Sequence, residues 1–509
     1  MKENWIDKAV DYLNPVAGAN RRKHRMASMN LQAIQRKYDA AQRGPRTDGW
    51  TTVGGFGSSA NAEVGYALRV VRDRCRDLVR NNTYAGGGIT AIVSNTVGTG
   101  ILCQPTSSDS SKSDAASLLW RKWSESTDCD ADGLHDFSGL QSLAFRSMVE
   151  GGESMVVRRW RRPSDGYKIP VPFQIQVLEG DYLDTTKSFQ TGANGNGYII
   201  HGVEFNNRGQ RVAYWLFDHH PGEFGLIKTG SGLISKRVDA KDVIHLFRVD
   251  RAGQARGIGW AAPCVIRFRD FDLFEDAVNM RMQIAACFAG FIGDIESPLE
   301  AGNAKTAISD KLSPGALEIL PPGKTITFPN MPSAADDGHS VRVLRGLAKG
   351  LGITYETLTG DYSQTNYSSG RMGWISEYRN IEAWRWITFI PRFCNPIYAW
   401  FQEAADLVGK SVDQTVPLWT PPRREMIDPT KEIPAQRDAV RSGFVSLSES
   451  IRESGRIPSE VFKEMKKDSD TVKALGLVLD TDPSQIARGG NAQPPDQTGG
   501  NTGAGDQNA

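Results

Sequence analysis

Arg342, Arg345 and Lys349 fall three and four residues apart in VRVLRGLAKGL, so on a helix they make one basic stripe. Such a stripe attracts phosphate or pairs with neighbouring carboxylates, and the spacing leaves both open. A polar run follows: Thr359, Gly360, Asp361, Tyr362, Ser363, Gln364, Thr365, Asn366, Tyr367, Ser368, Ser369 and Gly370. It offers hydroxyls, amides and two tyrosines, and its single charge is Asp361. Composition predicts a flexible loop over 359–370, between a helix ending near Leu351 and a second helix starting near Arg371. On spacing alone it reads as an active-site or surface loop between two core helices.

The familiar catalytic and metal-binding patterns are missing from the sequence. The seven histidines include no HExxH, and no Cys/His set has zinc spacing. His219 and His220 precede Pro221-Gly222, which predicts a turn rather than a metal site. There is no GxSxG elbow and no GxxxxGK[ST] phosphate loop. No cofactor and no metal are expected, and an energy-consuming role would draw its energy from another protein.

A chain of 509 residues exceeds one compact core, so several domains are expected. With 60 basic and 59 acidic residues the net charge is +1, unlike a tight sequence-independent DNA binder. Six scattered cysteines without CxxC spacing suit a reducing, cytosolic assembly site. No signal peptide and no membrane span are expected.

Along the chain, 1–48 is a basic arm, either solvated and flexible or nucleic-acid-binding. Helical spacing runs from about 61 to 100, with Asn81-Asn82 and the glycines after them marking a helix end or turn. Two helices are expected over 114–150. Strands follow at MVVRRW, VPFQIQVL, YIIHGVEF, RVAYWLF and VIHLF, with a hairpin at Asn206–Gly209. A long helix is expected from Trp260 to Ala289, with Pro263 in its first turn and Val265, Phe268, Phe271, Phe274, Ala277 and Ile284 on one face. Beyond Arg371 an aromatic helical stretch carries Trp374, Tyr378, Trp384, Trp386, Phe389, Phe393, Tyr398 and Trp400, with Pro391 and Pro396 expected to break or kink it. Its rings serve either packing or base stacking, and helical spacing favours packing. The tail 488–509 has a disordered composition.

Several of these stretches resemble the lambda-type tailed-phage portal family. Gly350-Leu351-Gly352, Tyr355-Glu356 and Leu358, then Tyr362, Gln364, Tyr367, Ser368 and Arg371, match its "GLGxxYExL" and "YxQxxYSxxR" segments. Arg76, Asp77, Arg80, Asn81, Asn82 and Tyr84 match its "ARDLxRNNxYA" helix pair. Gly152-Glu153 matches a "GE" turn. His245, Arg251, Gly253, Gln254, Arg256 and Gly257 match "IHxFxxxRxGQxRG", and Asp428, Pro429, Lys431, Glu432, Gly443, Ser446, Glu449 and Gly455 match a late segment.

The resemblance implies an α+β portal fold: a helix-rich wing containing a β-sheet, a two-helix stem, a small β-containing clip and a helical crown. Applied here, it gives an arm at 1–48, a wing at 49–259, stem helices at 260–289 and 338–358, and a clip at 290–337. A tunnel loop at 359–370, a long kinked helix at 371–410, a crown at 411–487 and the tail complete it. It further implies a non-enzymatic ring, dodecameric by family analogy, at one vertex of a virion assembled in the host cytoplasm. Implied partners are the terminase large subunit, major capsid and scaffold proteins, head-completion or adaptor proteins, and double-stranded DNA held without sequence specificity; no membrane is implied. Phe291, Ile292, Leu317 and Ile319 become clip residues that dock the terminase, and Arg342, Arg345 and Lys349 candidate channel residues. The alternatives are a nucleic-acid-processing enzyme with a lid at 361–371, or another virion structural or adaptor protein.

Overall fold

The computed structural model describes residues 59–162, 164, 166–188, 197–223, 234–287, 291–292, 318–319, 338–423 and 425–477. The expected basic arm, most of the expected clip and the expected tail lie outside them. By chain contacts, 1–63 and 64–509 form separate units, and the described residues beyond 63 belong to the second.

Helix α1 (Ala60–Asn81) buries Val64, Leu68, Cys75 and Leu78 at spacings of three, four and seven. Asn82 then caps α2 (Thr83–Thr96), its side chain accepting from the Ala85 N–H at 2.7 Å. The Asn-Asn pair is thus a helix end followed by a cap, as expected. Strand β1 (Leu102–Thr106) precedes α3 (Ser110–Ser124) and α4 (Phe137–Gly151), whose caps are Asp109 and Asp136. These are the two helices expected over 114–150.

Gly152 ends α4 at φ 94°, and a Cβ there would lie 2.5 Å from the Ile258 carbonyl carbon. Only glycine fits both the left-handed backbone and that close approach. The chain then enters β2 (Glu153–Trp160), which pairs antiparallel with β3 (Phe173–Glu179) and β8 (Val243–Phe247). A second antiparallel sheet runs in order through β4 (Tyr198–Ile200), β5 (Val203–Phe205), β6 (Arg211–Phe217) and β7 (Ser235–Asp239). YIIHGVEF, expected as one strand, is itself a hairpin, turning at His201 (φ 47°) and Gly202 (φ 86°). The β5–β6 hairpin matches expectation.

Strand β2 is buried on both faces. Val156 faces the main core with α2–α4, while Met155 and Val157 face a smaller core against the second sheet, with Val203, Tyr214 and Leu216. Successive strand residues point to opposite faces, so a sheet covered on both sides buries every one.

Helix α5 (Val265–Cys287) starts five residues later than expected. Residues 260–264 form a turn, and Pro263 stands ahead of the helix. Phe268 and Phe271 are buried, whereas Ala277, expected on the same face, is exposed. Strand β9 (Phe291–Ile292) pairs in parallel with β10 (Glu318–Ile319), and α6 (His339–Leu351) returns along α5. Cys264 Sγ lies 3.8 Å from the Leu347 carbonyl, and the rings of Phe274 and His339 are 5.0 Å apart. The two helices therefore run antiparallel, and α5 continues roughly 20 Å past that last contact.

After the short α7 (Tyr355–Thr359), one helix continues through α8 (Tyr367–Ala383), a π-helical segment (Trp384–Cys394) and α9 (Asn395–Leu407). Of the break or kink expected at Pro391 and Pro396, no break occurs at either, and Pro396 stands in the first turn of α9. Pro391 sits inside the π segment, on the exposed side. A proline ring clashes with the carbonyl four residues back, and the wider turn relieves that clash. Buried Arg385, Phe389, Ile390, Phe393, Cys394, Ile397 and Tyr398 recur every four residues and hold the segment against the core. Packing is thus the role of Phe389, Phe393, Tyr398 and Trp400, as the spacing favoured.

Strand β11 (Val416–Thr420) pairs antiparallel with β1. Residues 416–420, which fall in the expected crown, are thus bonded to the strand that follows α2. Helices α10 (Pro429–Arg441), α11 (Leu447–Glu453) and α12 (Pro458–Ala474) follow, and of their residues only Pro458 is buried. Asp428 caps α10 and Ser446 caps α11, which gives two family-like positions a local structural purpose. Among the described residues, no helix is long and apolar enough to cross a membrane.

Candidate functional site

Helix α6 is amphipathic. Leu344, Leu347, Ala348 and Leu351 are buried, while Arg342, Arg345 and Lys349 are exposed on the opposite face. Arg345 lies 5.5 Å from the Tyr355 ring. Among the described residues, none of the three basic side chains forms an ion pair within the chain. Gly352 closes the helix at φ 81°, its N–H bonding to the Lys349 carbonyl while Ile353 N–H reaches Ala348.

Thr354 caps α7, and Gly360 ends it in the left-handed region. The chain then turns back sharply. The Asp361 carboxylate accepts from the Ser363 N–H at 2.9 Å and the Tyr355 hydroxyl at 3.0 Å. Those bonds, the Ser363 backbone first, hold its pKa below the usual carboxylate value. Thr365 Oγ1 donates to Glu356 at 3.2 Å. Asn366 then opens α8 with a reciprocal capping box: its side chain accepts from Ser369 N–H at 2.8 Å, and its own N–H donates to Ser369 Oγ at 3.0 Å.

This arrangement corrects the expected extent of the loop. Residues 360–366 form the connection, while Tyr367, Ser368, Ser369 and Gly370 are the first turn of α8 and Thr359 the last residue of α7. A serine-glycine run reads as loop by composition, but an asparagine at the cap converts it into a helix start. The connection is also anchored at its base. Buried Glu377 of α8 accepts from Thr354 N–H (2.9 Å), Thr357 Oγ1 (2.7 Å) and Asn95 of α2 (3.2 Å). The exposed tip is Tyr362, Ser363 and Gln364, with Tyr362 65% exposed. Beside it, the Tyr367 ring lies 5.6 Å from Lys431 of α10. Replacing Asn366 by alanine is expected to cost about 1 kcal/mol, the usual value of an N-cap. An unchanged denaturation midpoint for N366A would show that the box does not hold α8.

The described residues also hold a buried ionic hub, which the sequence shows only as separate residues. Glu153 opens β2 and is fully enclosed. Its carboxylate pairs with Arg72 of α1, receives Arg256 Nε at 2.9 Å, His245 Nε2 of β8 at 2.9 Å and the Gly257 N–H at 3.2 Å. Arg256 also donates to the carbonyls of His201 (2.6 Å) and Gly180 (3.0 Å), and Arg72 to Asp181 (3.0 Å) and the Gly151 carbonyl (3.2 Å). Gln254 steadies the Arg256 loop, accepting from Asp250 N–H and donating to the Arg256 carbonyl. Burial alone would raise the Glu153 pKa, but Arg256 and Arg72 outweigh it and hold the group well below the carboxylate range. Burial also dominates at His245 and lowers it to about 4, against the pull of Glu153. The imidazole is thus neutral, donating from Nε2, with Nδ1 unpartnered among the described residues. The signal legible in the sequence is an ionisable residue inside each of two apolar strands, Glu153 in ESMVV and His245 in VIHLF.

Glu179, Asp181 and His220 bring three potential metal ligands within 4.8 Å. Arg76 already lies 2.9 Å from Glu179 and 2.6 Å from Asp181, so a guanidinium occupies both carboxylates where a metal would sit. His220 shapes the expected turn, receiving the Gly222 N–H on Nδ1 at 3.0 Å. Of the expected clip residues, Phe291, Ile292 and Ile319 lie on the β9–β10 pair, and Leu317 falls outside the described residues.

The family model described as "Phage portal protein, lambda family" matches residues 43–385. A probable portal protein of Halomonas phage phiHAP-1 is 24% identical over 379 residues, 70% of each chain. The portal protein of Escherichia phage N15 is 22% identical over 469 residues, covering 79% of this chain and 84% of that one. Portal protein B of Escherichia phage lambda is 22% identical over 468 residues, with the same coverage. Among solved structures, a chain from the neck of a native gene transfer agent particle overlays at TM-score 0.41 with 15% identity. It covers 78% of this chain and 99% of that one. A chain from the virion of a native gene transfer agent particle overlays at TM-score 0.42 with 14% identity, covering 77% and 98%.

Proposed function

The chain belongs to the lambda family of phage portal proteins, and from that premise we propose that its copies close into a ring, twelve by family analogy, at one capsid vertex. The observation that carries this is the family match over residues 43–385, which spans both stem helices and the loop after them. In this reading the antiparallel α5–α6 pair is the stem and the β9–β10 pair belongs to the clip, with Phe291, Ile292, Leu317 and Ile319 at the narrow end where the terminase large subunit docks. Helices α10–α12 form the crown. The 359–370 segment, with its exposed tip at Tyr362–Gln364, lines the channel through which double-stranded DNA enters and leaves. The ring is assembled in the host cytoplasm with capsid and scaffold proteins and later receives head-completion proteins.

The role requires no catalytic group on this chain. DNA must slide, so channel contacts have to be weak and indifferent to sequence, and hydroxyls, amides and tyrosine edges meet that need better than guanidinium forks. Terminase supplies the energy. The decisive test is electron microscopy of the purified protein, where class averages are expected to show a closed ring with an axial opening. A protein that stays monomeric under every assembly condition, including with its own capsid and scaffold proteins, would overturn the proposal.

A further inference from the structure

The stem pair leaves two faces uncovered. On α5, Ile266, Leu273 and Met280 stand seven residues apart and so share one face, opposite buried Phe268 and Phe271. They are 69%, 58% and 59% exposed. Asp270 edges this stripe on one side and Arg269 on the other; both are exposed, and neither forms an ion pair among the described residues. On α6 the uncovered face is the basic one, with Lys349 near its centre and Arg342 and Arg345 on opposite sides. Long basic side chains cover apolar surface with their methylene stems while keeping the charge at the edge.

The heights of these groups also correspond. Phe274 stands beside His339, and a Cβ on Gly346 would lie 3.6 Å from Arg267 Nη1. Counting between those two contacts sets Arg342 level with Phe271, one residue from Asp270. Rotation about a ring axis running along the stem carries each residue to the same height in the next copy. Docked face to face, the antiparallel sense of the helices places Arg342 on the Asp270 side of the stripe and Lys349 over Ile266.

Resting on the portal reading, we infer that the basic face of α6 in one copy packs on the apolar stripe of α5 in the next, with an Arg342–Asp270 ion pair fixing the register. This contact is heterologous, since two different faces meet, and such a contact generates a closed ring when its rotation closes. It assigns Arg342 and Lys349 to the subunit interface rather than to the channel wall.

The test is a charge-swap cycle on the full-length chain, reading the protein concentration at half-assembly by sedimentation at fixed salt. Asp270→Arg and Arg342→Asp are each expected to raise that concentration at least about tenfold, the equivalent of one charge-assisted contact. The double variant D270R/R342D should return to within a few-fold of the unmodified chain. Both side chains are exposed, so the unassembled variants should keep the circular dichroism of the parent. Single variants that assemble normally, or a double variant no better than the worse single, would overturn the pairing while leaving the ring intact. If the unmodified chain forms no ring, the portal reading itself is what fails.

Discussion

Glu153→Gln is expected to destabilise the subunit by roughly 3–5 kcal/mol, the cost of removing one partner from a buried ion pair. The glutamine side chain keeps the volume but removes the charge that neutralises Arg72 and Arg256. Arg72 retains Asp181, whereas Arg256 pairs with Glu153 and otherwise donates to carbonyls. The damage should spread, because the hub ties α1, the start of β2, β8 and the 250–257 loop to one carboxylate. Denaturant unfolding of the unassembled subunit measures it, with Asp239→Asn as control. Asp239 pairs with Arg237 at the surface, and that loss should stay below about 1 kcal/mol. Equal effects of the two substitutions would show that the hub carries no special stability.

The same hub sets a pH dependence. The folded His245 pKa of about 4 lies below its ordinary value of 6.5, so the unfolded chain binds a proton between these pH values that the folded chain refuses. Stability from this group is complete above about pH 6.5 and declines as pH falls toward 4. A shift of that size corresponds to about 3 kcal/mol. Glu153 is also depressed, so its contribution declines in turn as pH falls below the ordinary carboxylate range. Unfolding of H245Q across the same range should show a shallower decline than the parent; parallel curves would remove His245 as the cause.

How much of the fold can be read from the sequence depends on how local each signal is. Leu344, Leu347, Ala348 and Leu351 are legible as a buried face because one helix with one apolar side carries its whole pattern over a few turns. The Asn206–Gly209 hairpin is legible for the same reason. The π-helical segment is hidden, because a four-residue recurrence also fits an ordinary α-helix, and Pro391 reads as a stop until the packing around Phe389 and Phe393 is seen. The start of α8 is obscured because Ser368-Ser369-Gly370 suggests a loop by composition, while the Asn366 cap acts through geometry. The hub is the least legible of all. Its polar groups come from distant segments, Arg72, Glu153, His245 and Arg256, and neither the apolar strands around two of them nor the resemblance indicates that they meet.

The exposed tip at Tyr362–Gln364 gives the second large effect: Gln364→Lys is expected to reduce the DNA packaged per capsid, most strongly at low salt. Each copy would present a new cation to passing phosphates. One added phosphate contact steepens the salt dependence of duplex binding by about 0.9 in log–log slope, so a fourfold rise in salt weakens it about 3.5-fold. In a ring several such contacts engage together and their effects multiply, whereas the native tip carries no positive charge to hold the duplex. A shortening variant must respect the local structure. Removing Ser363 to Ser369 would delete the Asn366 cap and the first turn of α8, so a loss of packaging would be indistinguishable from misfolding. Deleting Ser363 and Gln364 alone keeps Asn366, Ser369 and the Glu377 anchor, and should leave ring assembly normal while impairing translocation or retention. The measurement is DNA per capsid with purified terminase across a salt series, alongside electron microscopy of the rings. If packaging and retention are unchanged in both variants, the tip does not line the channel, because a cation on every copy beside a moving polyanion must alter its passage.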